Sequence, residues 1–187
     1  FDVPIYGRPA DLVEQVVDGT RVRGKMVDGQ FVVYDSRAEI ENGSLSGRAP
    51  IIGWAASPAE FFFLQVQGSG RLRAPDGSIV RLNYAAGNGR PYTSIGKYMG
   101  ERNLLAPGQS TMQGIVAYLN ANPDEGRRIM QANESYVFFA ESSTGPMGAM
   151  GYPVTGRMTV AADPKFVPLG APVWLDMDRS EADGFWI

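Results

Sequence analysis

Asp-Gly dipeptides flanked by short apolar segments constrain the fold of this 187-residue chain more than any other feature. They occur at Asp18-Gly19, Asp28-Gly29 and Asp76-Gly77, and a fourth, Asp183-Gly184, opens a further predicted strand at residues 183–187. An Asp-Gly pair favours the left-handed backbone angles that tight turns between antiparallel strands require. A strand is predicted directly after the second pair, at residues 30–34. The sequence therefore predicts β-hairpins, and with them a chain that contains several antiparallel strands.

The third dipeptide also predicts a register. A three-residue loop over residues 75–77, with Gly77 in the left-handed conformation, places Leu72 opposite Val80. The same register sets Arg71 opposite Arg81, which gives the hairpin a basic face. A two-residue loop would instead set Leu72 against Arg81, so the longer loop is preferred. The basic face would attract an acidic polymer or simply remain solvated.

Apolar spacing and capping residues predict the other elements. Ser36 and Glu39 stand at the spacing of a capping box, which predicts the start of a helix. Further helices are predicted over residues 94–105, 110–119 and 124–131. Strands are predicted at residues 49–55, 60–67, 135–140, 157–162 and 171–176, and alternation within 60–67 puts Phe62, Leu64 and Val66 on one face. The predicted fold is mainly β with a few short helices.

Composition excludes several classes of function. The chain contains neither cysteine nor histidine, which excludes Cys/His zinc sites, thiol nucleophiles and a Ser-His-Asp triad within it. A formal net charge of −3 does not favour binding to nucleic acid. If the protein is an enzyme, carboxylates, lysine or tyrosine must transfer its protons.

Amides, glycines, tyrosines and a lysine are concentrated in residues 61–99, and this combination suits a groove that binds sugars. Hydroxyl groups need donors and acceptors, and sugar rings need flat apolar faces. A structural alternative is that a strand runs into a flexible turn, that the glycines serve turns and that the tyrosines are half-buried. The candidate binding residues are Gln65, Gln67, Gly68, Ser69, Gly70, Tyr84, Tyr92, Ser94 and Lys97.

Asp163 is the candidate catalytic carboxylate. It ends a predicted strand and precedes Pro164, and a Pro-Leu-Gly turn follows at residues 168–170. An aspartate at this position would suit the rim of an active site in a β-barrel. The structural alternative is an Asx turn, which Asp-Pro sequences favour.

Four segments together resemble the membrane-bound lytic murein transglycosylase A (MltA) family. They are FFLQVQGSGRL, NYAAGNGRPYTSIGK, SYVFF and GRMTVAADPKFVPLGAPVWL. The last segment also resembles the opening of a 3D domain, named for three aspartates, of which Asp163 would be the first. The resemblance implies a double-psi β-barrel domain and a smaller inserted β-barrel domain with a groove between them. On this basis residues 1–36 and 137–187 belong to the double-psi barrel, incomplete at both ends, and residues 37–136 form the inserted barrel.

The resemblance implies non-hydrolytic cleavage of the β-1,4 bond between N-acetylmuramic acid and N-acetylglucosamine, leaving 1,6-anhydromuramyl ends. No metal or cofactor is expected. The candidate binding residues would line the groove, and Asp163 would support the catalytic aspartate. In the family that aspartate lies in a segment resembling Asp-x-Gly-Gly/Ser-Ala-Ile-Lys-Gly, which is absent here and is expected beyond Ile187. The chain by itself is therefore not expected to hold the proton donor, and is expected to be inactive alone.

The resemblance also implies partners and a location. Peptidoglycan glycan strands are the expected partner, with a cell-wall enzyme complex as a further candidate, and a monomer is expected. The full-length protein is expected in the periplasm, anchored to the outer membrane as a lipoprotein. Two alternatives remain open: a polysaccharide hydrolase of endoglucanase type, and a non-catalytic glycan-binding module.

Overall fold

The computed structural model describes residues 2–106 and 108–176. The chain divides into two compact units, Phe1–Glu141 and Ser142–Ile187. The helices and strands of the described residues belong almost entirely to the first unit. The predicted last strand, at residues 183–187, lies outside the described residues.

The first unit contains strands that form three small sheets. The strands are β1 (Val3–Tyr6), β2 (Val13–Val17), β3 (Thr20–Val27), β4 (Gln30–Val33), β5 (Ile51–Ala55), β6 (Ser69–Arg73), β7 (Ile79–Gly87) and β8 (Val137–Ser142). β1 pairs with β5 in an antiparallel pair, β2, β3 and β4 follow one another in a second sheet, and β6, β7 and β8 follow one another in a third.

The predicted hairpins are confirmed. Asp18 and Asp28 have φ angles of 49° and 50°, which are the left-handed angles that the turns between β2, β3 and β4 need. At the third turn Gly77 has a φ of 84°, and Leu72 faces Val80 as predicted. The same pairing puts Arg71 opposite Arg81. These turns are local, so the few residues at each turn suffice to predict it.

Short helices complete the first unit. The capping box at Ser36 is confirmed, since its side chain accepts from the Glu39 N–H and Glu39 accepts from the Ser36 N–H. Helices are also confirmed in the three predicted places, with Ser94 and Thr111 as side-chain N-caps. The helices are α1 (Arg37–Glu39), which continues into a π-helical turn (Ile40–Ser44), α2 (Pro58–Gln67), α3 (Ile95–Glu101), α4 (Met112–Ala121) and α5 (Pro123–Gln131).

The strand predicted at residues 60–67 is wrong, because this segment is helix α2. Ser57 caps the helix by accepting from the Glu60 N–H at 3.2 Å, and Pro58 occupies the first turn. Gly68 ends the helix in the left-handed conformation, with its N–H donating to the Leu64 carbonyl at 2.9 Å. Apolar side chains on two sides of the helix obscure the 3.6-residue period that marks a one-sided helix.

Helix α2 contributes to both apolar cores of the first unit. Phe61 lies in the core that the strands form with the π-helical turn, beside Phe139. Phe62 lies in the core formed by α2, α3, α4 and α5, together with Met99 and Ile129. Adjacent side chains of one helix thus connect the two cores.

The strands predicted at residues 157–162 and 171–176 in the second unit are wrong. Residues 155–158 form a turn, in which the Met158 and Thr159 N–H groups donate to the Thr155 carbonyl at 3.1 and 3.0 Å. Met158 and Trp174 are largely exposed. A strand forms only where a neighbouring segment completes its ladder, and within residues 142–176 the pairing that the structure shows is a bridge between Met147 and Pro153.

The described residues have a fold that is mainly β with a few short helices, which confirms this part of the predicted fold class. The double-psi barrel, the inserted barrel and the boundaries near residues 36 and 137 stay predictions. None of the helices that the structure describes is long and apolar enough to cross a membrane.

Candidate functional site

Gln65, the first candidate binding residue, lies in the protein interior. It is 2% exposed and stands on the face of α2 that also carries Phe61. Its amide oxygen accepts from Arg37 Nη1 at 2.7 Å, and its amide nitrogen donates to the Val137 carbonyl at 3.0 Å. Because both ends of the amide are bonded within the protein, Gln65 links α2 to α1 and β8.

Arg37 is the centre of this buried polar group, and no motif in the sequence marks it. Its side chain donates to the Asn133 carbonyl at 3.1 Å and to the Ser135 carbonyl at 2.7 Å. Glu41 accepts from Nη1 at 3.3 Å and supplies the compensating charge. The guanidinium also lies over the ring of Phe62, 4.6 Å from its centroid. Burial lowers the pKa of Arg37, and the Glu41 charge opposes that change.

Two buried asparagines fasten the glycine-rich loop at residues 87–94. The Asn88 amide donates to the carbonyls of Asp35 and Glu134 at 2.9 and 2.8 Å, and its oxygen accepts from the Tyr136 N–H at 2.9 Å. The oxygen of Asn133 accepts from the Thr93 N–H at 3.0 Å. This loop is therefore held at both ends by hydrogen bonds from the interior.

Gln67, Gly68, Ser69 and Gly70 form the junction between α2 and β6. Gln67 is exposed at the end of the helix. Gly70 allows close packing, since a Cβ there would lie 2.1 Å from Leu64 Cδ1. A Cβ on Gly68 would lie 3.9 Å from the Cβ of Tyr84, so the junction and Tyr84 are neighbours.

Tyr84 stands on β7 with 49% of its surface exposed. Its hydroxyl accepts from Arg23 Nη1 at 2.9 Å. Arg23 Nε in turn donates to Glu14 Oε1 at 3.0 Å. The Arg23 hydrogen bond lowers the pKa of Glu14, because it favours the charged carboxylate. Glu14, Arg23 and Tyr84 thus form a chain of polar contacts beside the α2–β6 junction.

The remaining candidates lie around the start of α3. Tyr92 is 56% exposed and belongs to the loop that Asn88 and Asn133 hold. Ser94 caps α3 by accepting from the Lys97 N–H at 3.4 Å. Lys97 Nζ is 3.8 Å from Glu101 Oε1 in an exposed pair. Tyr92, Ser94 and Lys97 therefore all present polar atoms or rings to solvent.

We call the exposed and partly exposed members of these groups the amide–tyrosine surface: Gln67, Gly68, Ser69, Tyr84, Tyr92, Ser94 and Lys97. The structure places Gly68, Ser69 and Tyr84 together, and Ser94 together with Lys97. Gln65 is buried and the backbone of Gly70 packs against Leu64, so we do not count these two candidates in the surface. Sequence reasoning missed Arg23 because its partner Tyr84 is 61 residues away along the chain.

Asp163 lies in the second unit, where its side chain is exposed and forms an Asx turn. Oδ1 accepts from the Lys165 N–H at 2.9 Å. The Asp163 carbonyl accepts from the N–H groups of Phe166 and Val167 at 2.9 and 3.0 Å. This is the local geometry that the structural alternative describes. The role of Asp163 in supporting a catalytic acid stays a prediction.

A second polar group in the first unit surrounds Tyr34, and nothing in the sequence marks it. The Tyr34 hydroxyl donates to Asp11 Oδ1 at 2.7 Å, and Arg48 Nη1 donates to Asp35 Oδ2 at 2.8 Å. Lys25 also donates to Asp35. Burial raises the pKa of Asp35, but the hydrogen bonds from Lys25 and Arg48 outweigh it and leave that pKa below its usual value. Burial and the bond to Asp11 raise the pKa of Tyr34.

A cavity of about 660 Å³ lies elsewhere in the first unit, between β5 and the hairpin of β6 and β7. Its lining is mainly apolar and includes Trp54, Leu72 and Pro75, with Arg73 at the polar side. The candidate binding residues are not among the residues that line it.

Comparison with known proteins identifies the family of the chain. The sequence profile described as the MltA specific insert domain matches residues 1–140. The chain belongs to the MltA family. The membrane-bound lytic murein transglycosylase A of Vibrio cholerae is 33% identical over 154 residues, covering 81% of this chain and 42% of the relative.

Solved MltA structures share the fold. MltA from Neisseria gonorrhoeae matches with a TM-score of 0.80 and 34% identity, over 91% of this chain and 52% of that protein. Escherichia coli MltA with bound chitohexaose matches with a TM-score of 0.69 and 30% identity, over 90% of this chain and 45% of that protein. The chain thus spans about half the length of the relatives that it matches.

Proposed function

We propose that the protein to which this chain contributes is a peptidoglycan lytic transglycosylase, and that the amide–tyrosine surface binds the glycan strand. The observation that carries the proposal is membership of the MltA family, in which the similar E. coli protein has been seen with chitohexaose bound. Chitohexaose is built from N-acetylated sugars, so its hydroxyl and acetamido groups need the donors and acceptors that this surface presents.

In the proposed reaction, water is not the nucleophile that attacks the sugar. One carboxylic acid protonates the glycosidic oxygen as the bond to C1 of N-acetylmuramic acid breaks. The same carboxylate then takes the proton from the C6 hydroxyl, whose oxygen attacks C1 and closes the 1,6-anhydro ring. Because the nucleophile already belongs to the sugar, the reaction gains the advantage of proximity.

The residues of this chain would hold the strand in position. Tyr84 and Tyr92 are about half exposed, which leaves a ring face and an edge for contact with a sugar. Gln67, Ser69, Ser94 and Lys97 would donate to or accept from the hydroxyls. Gln65 would act indirectly, because its amide is bonded to Arg37 and to the Val137 carbonyl.

Asp163 is proposed to support the catalytic acid by hydrogen bonding or by its charge. One oxygen already accepts from the Lys165 N–H, and the side chain is exposed, so the other oxygen is available to a donor at the solvent side. Asp163→Asn in the full-length protein is expected to lower kcat and leave KM for murein unchanged. Unchanged kcat would leave the Asx turn as the role of this aspartate.

The decisive experiment is digestion of murein sacculi with the full-length protein, followed by mass spectrometry of the soluble products. Products that end in 1,6-anhydromuramic acid support the proposal. Products with reducing ends, which carry one additional water, would instead identify a hydrolase of the endoglucanase type. Binding without cleavage would identify a non-catalytic glycan-binding protein.

The proposed location is the bacterial envelope, where this substrate occurs. The Vibrio cholerae relative is named a membrane-bound protein, which supports an association with the envelope. A periplasmic lipoprotein on the outer membrane, acting as a monomer or within a cell-wall enzyme complex, is the corresponding proposal. Fractionation of cells and detection of the protein in outer-membrane vesicles would test it.

A further inference from the structure

We propose that Arg23 is a positioning residue for glycan binding, which fixes the Tyr84 hydroxyl so that its proton is offered to an oxygen of the glycan. This inference rests on the proposed function, because it assumes that the amide–tyrosine surface is where the glycan lies. Arg23 stands on β3, outside every segment that carries the family resemblance. The inference states which group donates and which accepts in the hydrogen bond between Arg23 and Tyr84.

The direction follows from what each group is able to donate or accept. Arg23 Nη1 donates to the Tyr84 hydroxyl over 2.9 Å. A guanidinium has donors and no acceptor, so Arg23 leaves the phenol proton unused. That proton must go to another acceptor, which is solvent in the free protein. In a complex the matching group is an oxygen that accepts, such as an acetamido carbonyl of the sugar.

The guanidinium of Arg23 is itself held through two of its nitrogens. Glu14 accepts from Nε at 3.0 Å, while Tyr84 accepts from Nη1. The side chain is 25% exposed, compared with 72% for Arg21, the neighbouring arginine on the same face of β3. A long side chain loses much rotamer freedom when it is ordered, and the two hydrogen bonds of the guanidinium offset that cost and keep it in a single position.

The glycines of the loop at residues 87–94 leave room for this side chain. A Cβ on Gly89 would lie 2.7 Å from Arg23 Cβ and 3.3 Å from its backbone N. A Cβ on Gly87 would lie 3.4 Å from both Arg23 Nη1 and the Tyr84 hydroxyl oxygen. Gly89 also has a φ of 79°, which disfavours other residues. The glycine cluster therefore serves the contact between Arg23 and Tyr84 as well as the turn.

Arg21 provides a matched control. It is an arginine two positions away on the same face of the strand, and it approaches the same carboxylate, with Nη1 at 3.8 Å from Glu14 Oε2. The described structure gives it no contact with Tyr84. Arg21→Gln removes the same charge from the same region as Arg23→Gln, so it separates the effect of position from the effect of net charge.

The test is isothermal titration calorimetry of the full-length protein with chitohexaose. The proteins to compare are the wild type, the single variants Arg23→Gln, Arg21→Gln and Tyr84→Phe, and the double variant that combines Arg23→Gln with Tyr84→Phe. We expect Arg23→Gln and Tyr84→Phe each to raise Kd by about three- to tenfold, the usual effect of losing one hydrogen bond. Arg21→Gln is expected to change Kd by less than about twofold. The double variant is expected to bind as Tyr84→Phe does, because the two residues act through one group.

Further measurements exclude a purely structural role. In murein digestion, Arg23→Gln is expected to raise KM with kcat unchanged, as for a residue that acts on binding alone. Its thermal unfolding midpoint should match that of Arg21→Gln. The inference is overturned if Arg23→Gln binds chitohexaose as the wild type does, or if its effect multiplies with that of Tyr84→Phe. A wild type that does not bind chitohexaose would overturn glycan binding at this surface, and this inference with it.

Discussion

Arg37 and Arg23 both bond side chains of the segment at residues 61–99, yet they have opposite surroundings. Arg37 is 2% exposed and donates to two backbone carbonyls and to Gln65. Arg23 is partly exposed and donates to a surface tyrosine and a surface carboxylate. The comparison separates support of the fold from control of a surface. Removal of the buried arginine should affect stability, and removal of the partly exposed one should affect binding.

The largest effect is expected from Arg37→Met. The substitution leaves the carbonyls of Asn133 and Ser135 and the Gln65 amide oxygen without their donor in the interior. We expect a loss of about 3–5 kcal/mol in the free energy of unfolding, measured by urea denaturation. The control is Arg127→Met, since Arg127 is exposed and bonds only the Asn42 side chain among the contacts described. Equal effects of the two substitutions would remove the distinction between buried and exposed arginines.

Gln65→Ala and Gln67→Ala compare a buried and an exposed side chain within one helix. Gln65 is buried with both ends of its amide bonded, whereas Gln67, two residues further along α2, is exposed. We expect Gln65→Ala to lower the free energy of unfolding by about 1–3 kcal/mol and Gln67→Ala by less than about 0.5 kcal/mol. If Gln65→Ala instead left stability intact and weakened glycan binding directly, Gln65 would belong to the surface.

Arg48 is partly exposed like Arg23, and the pH dependence of stability measures what its ion pairs contribute. The pKa of Asp35 is lower in the folded protein than its usual value of 3.8, so its ion pairs stabilise the fold above that pH. This contribution is lost as the pH falls through the folded pKa. Arg48→Met removes the pairs of Arg48 with Asp35 and with Asp11, whose pKa is also lowered in the folded protein. The substitution should cost about 1–2 kcal/mol at neutral pH, and the difference from wild type should shrink below pH 3.8.

Urea denaturation at a series of pH values would measure this effect. Arg81→Met is the control, because the described part of the chain gives Arg81 no ion pair. A difference between wild type and Arg48→Met that stays constant into acid would contradict the contribution of the Asp35 pair.

The smallest effect is expected at Tyr92, and it concerns binding alone. Tyr92→Ala removes a ring that is 56% exposed, so little core contact is lost. We expect the affinity for chitohexaose to fall by about 1 kcal/mol, roughly fivefold in Kd, with an unchanged unfolding midpoint. Tyr152→Ala, at a more exposed tyrosine in the second unit, is the control. Equal loss at both tyrosines would argue against a specific role for Tyr92.

The parts of the fold that are predictable from sequence are those that neighbouring residues determine. Asp18-Gly19 and Asp28-Gly29 form their turns as expected, and Leu72 pairs with Val80 because Gly77 sets the loop. The pattern predicts a strand in place of helix α2 because the helix is apolar on two sides. The signals that mark it as a helix are present nonetheless, in the Ser57 cap, Pro58 and Gly68.

The candidate site is predictable as a set of residue types, and its internal organisation is not. Arg37 meets Gln65 across 28 residues and the Asn133 carbonyl across 96, and Arg23 meets Tyr84 across 61. Contacts between such distant residues depend on how the sheets and helices pack, which no local pattern records. The difference between Gln65 and Gln67 has another cause: residues two positions apart share a face in the predicted strand but point to different sides of the observed helix.

Helix α2 has a consequence for how the first unit opens. Phe61 anchors it in one core and Phe62 anchors it in the other, so neither core separates from the helix without exposing a phenylalanine to water. Its amide protons should therefore exchange with deuterium only when both cores open together, as late as any in the molecule. The surface loop at residues 87–94 would then be connected to the slowest-exchanging element of the first unit by the hydrogen bonds of Gln65, Arg37 and Asn133.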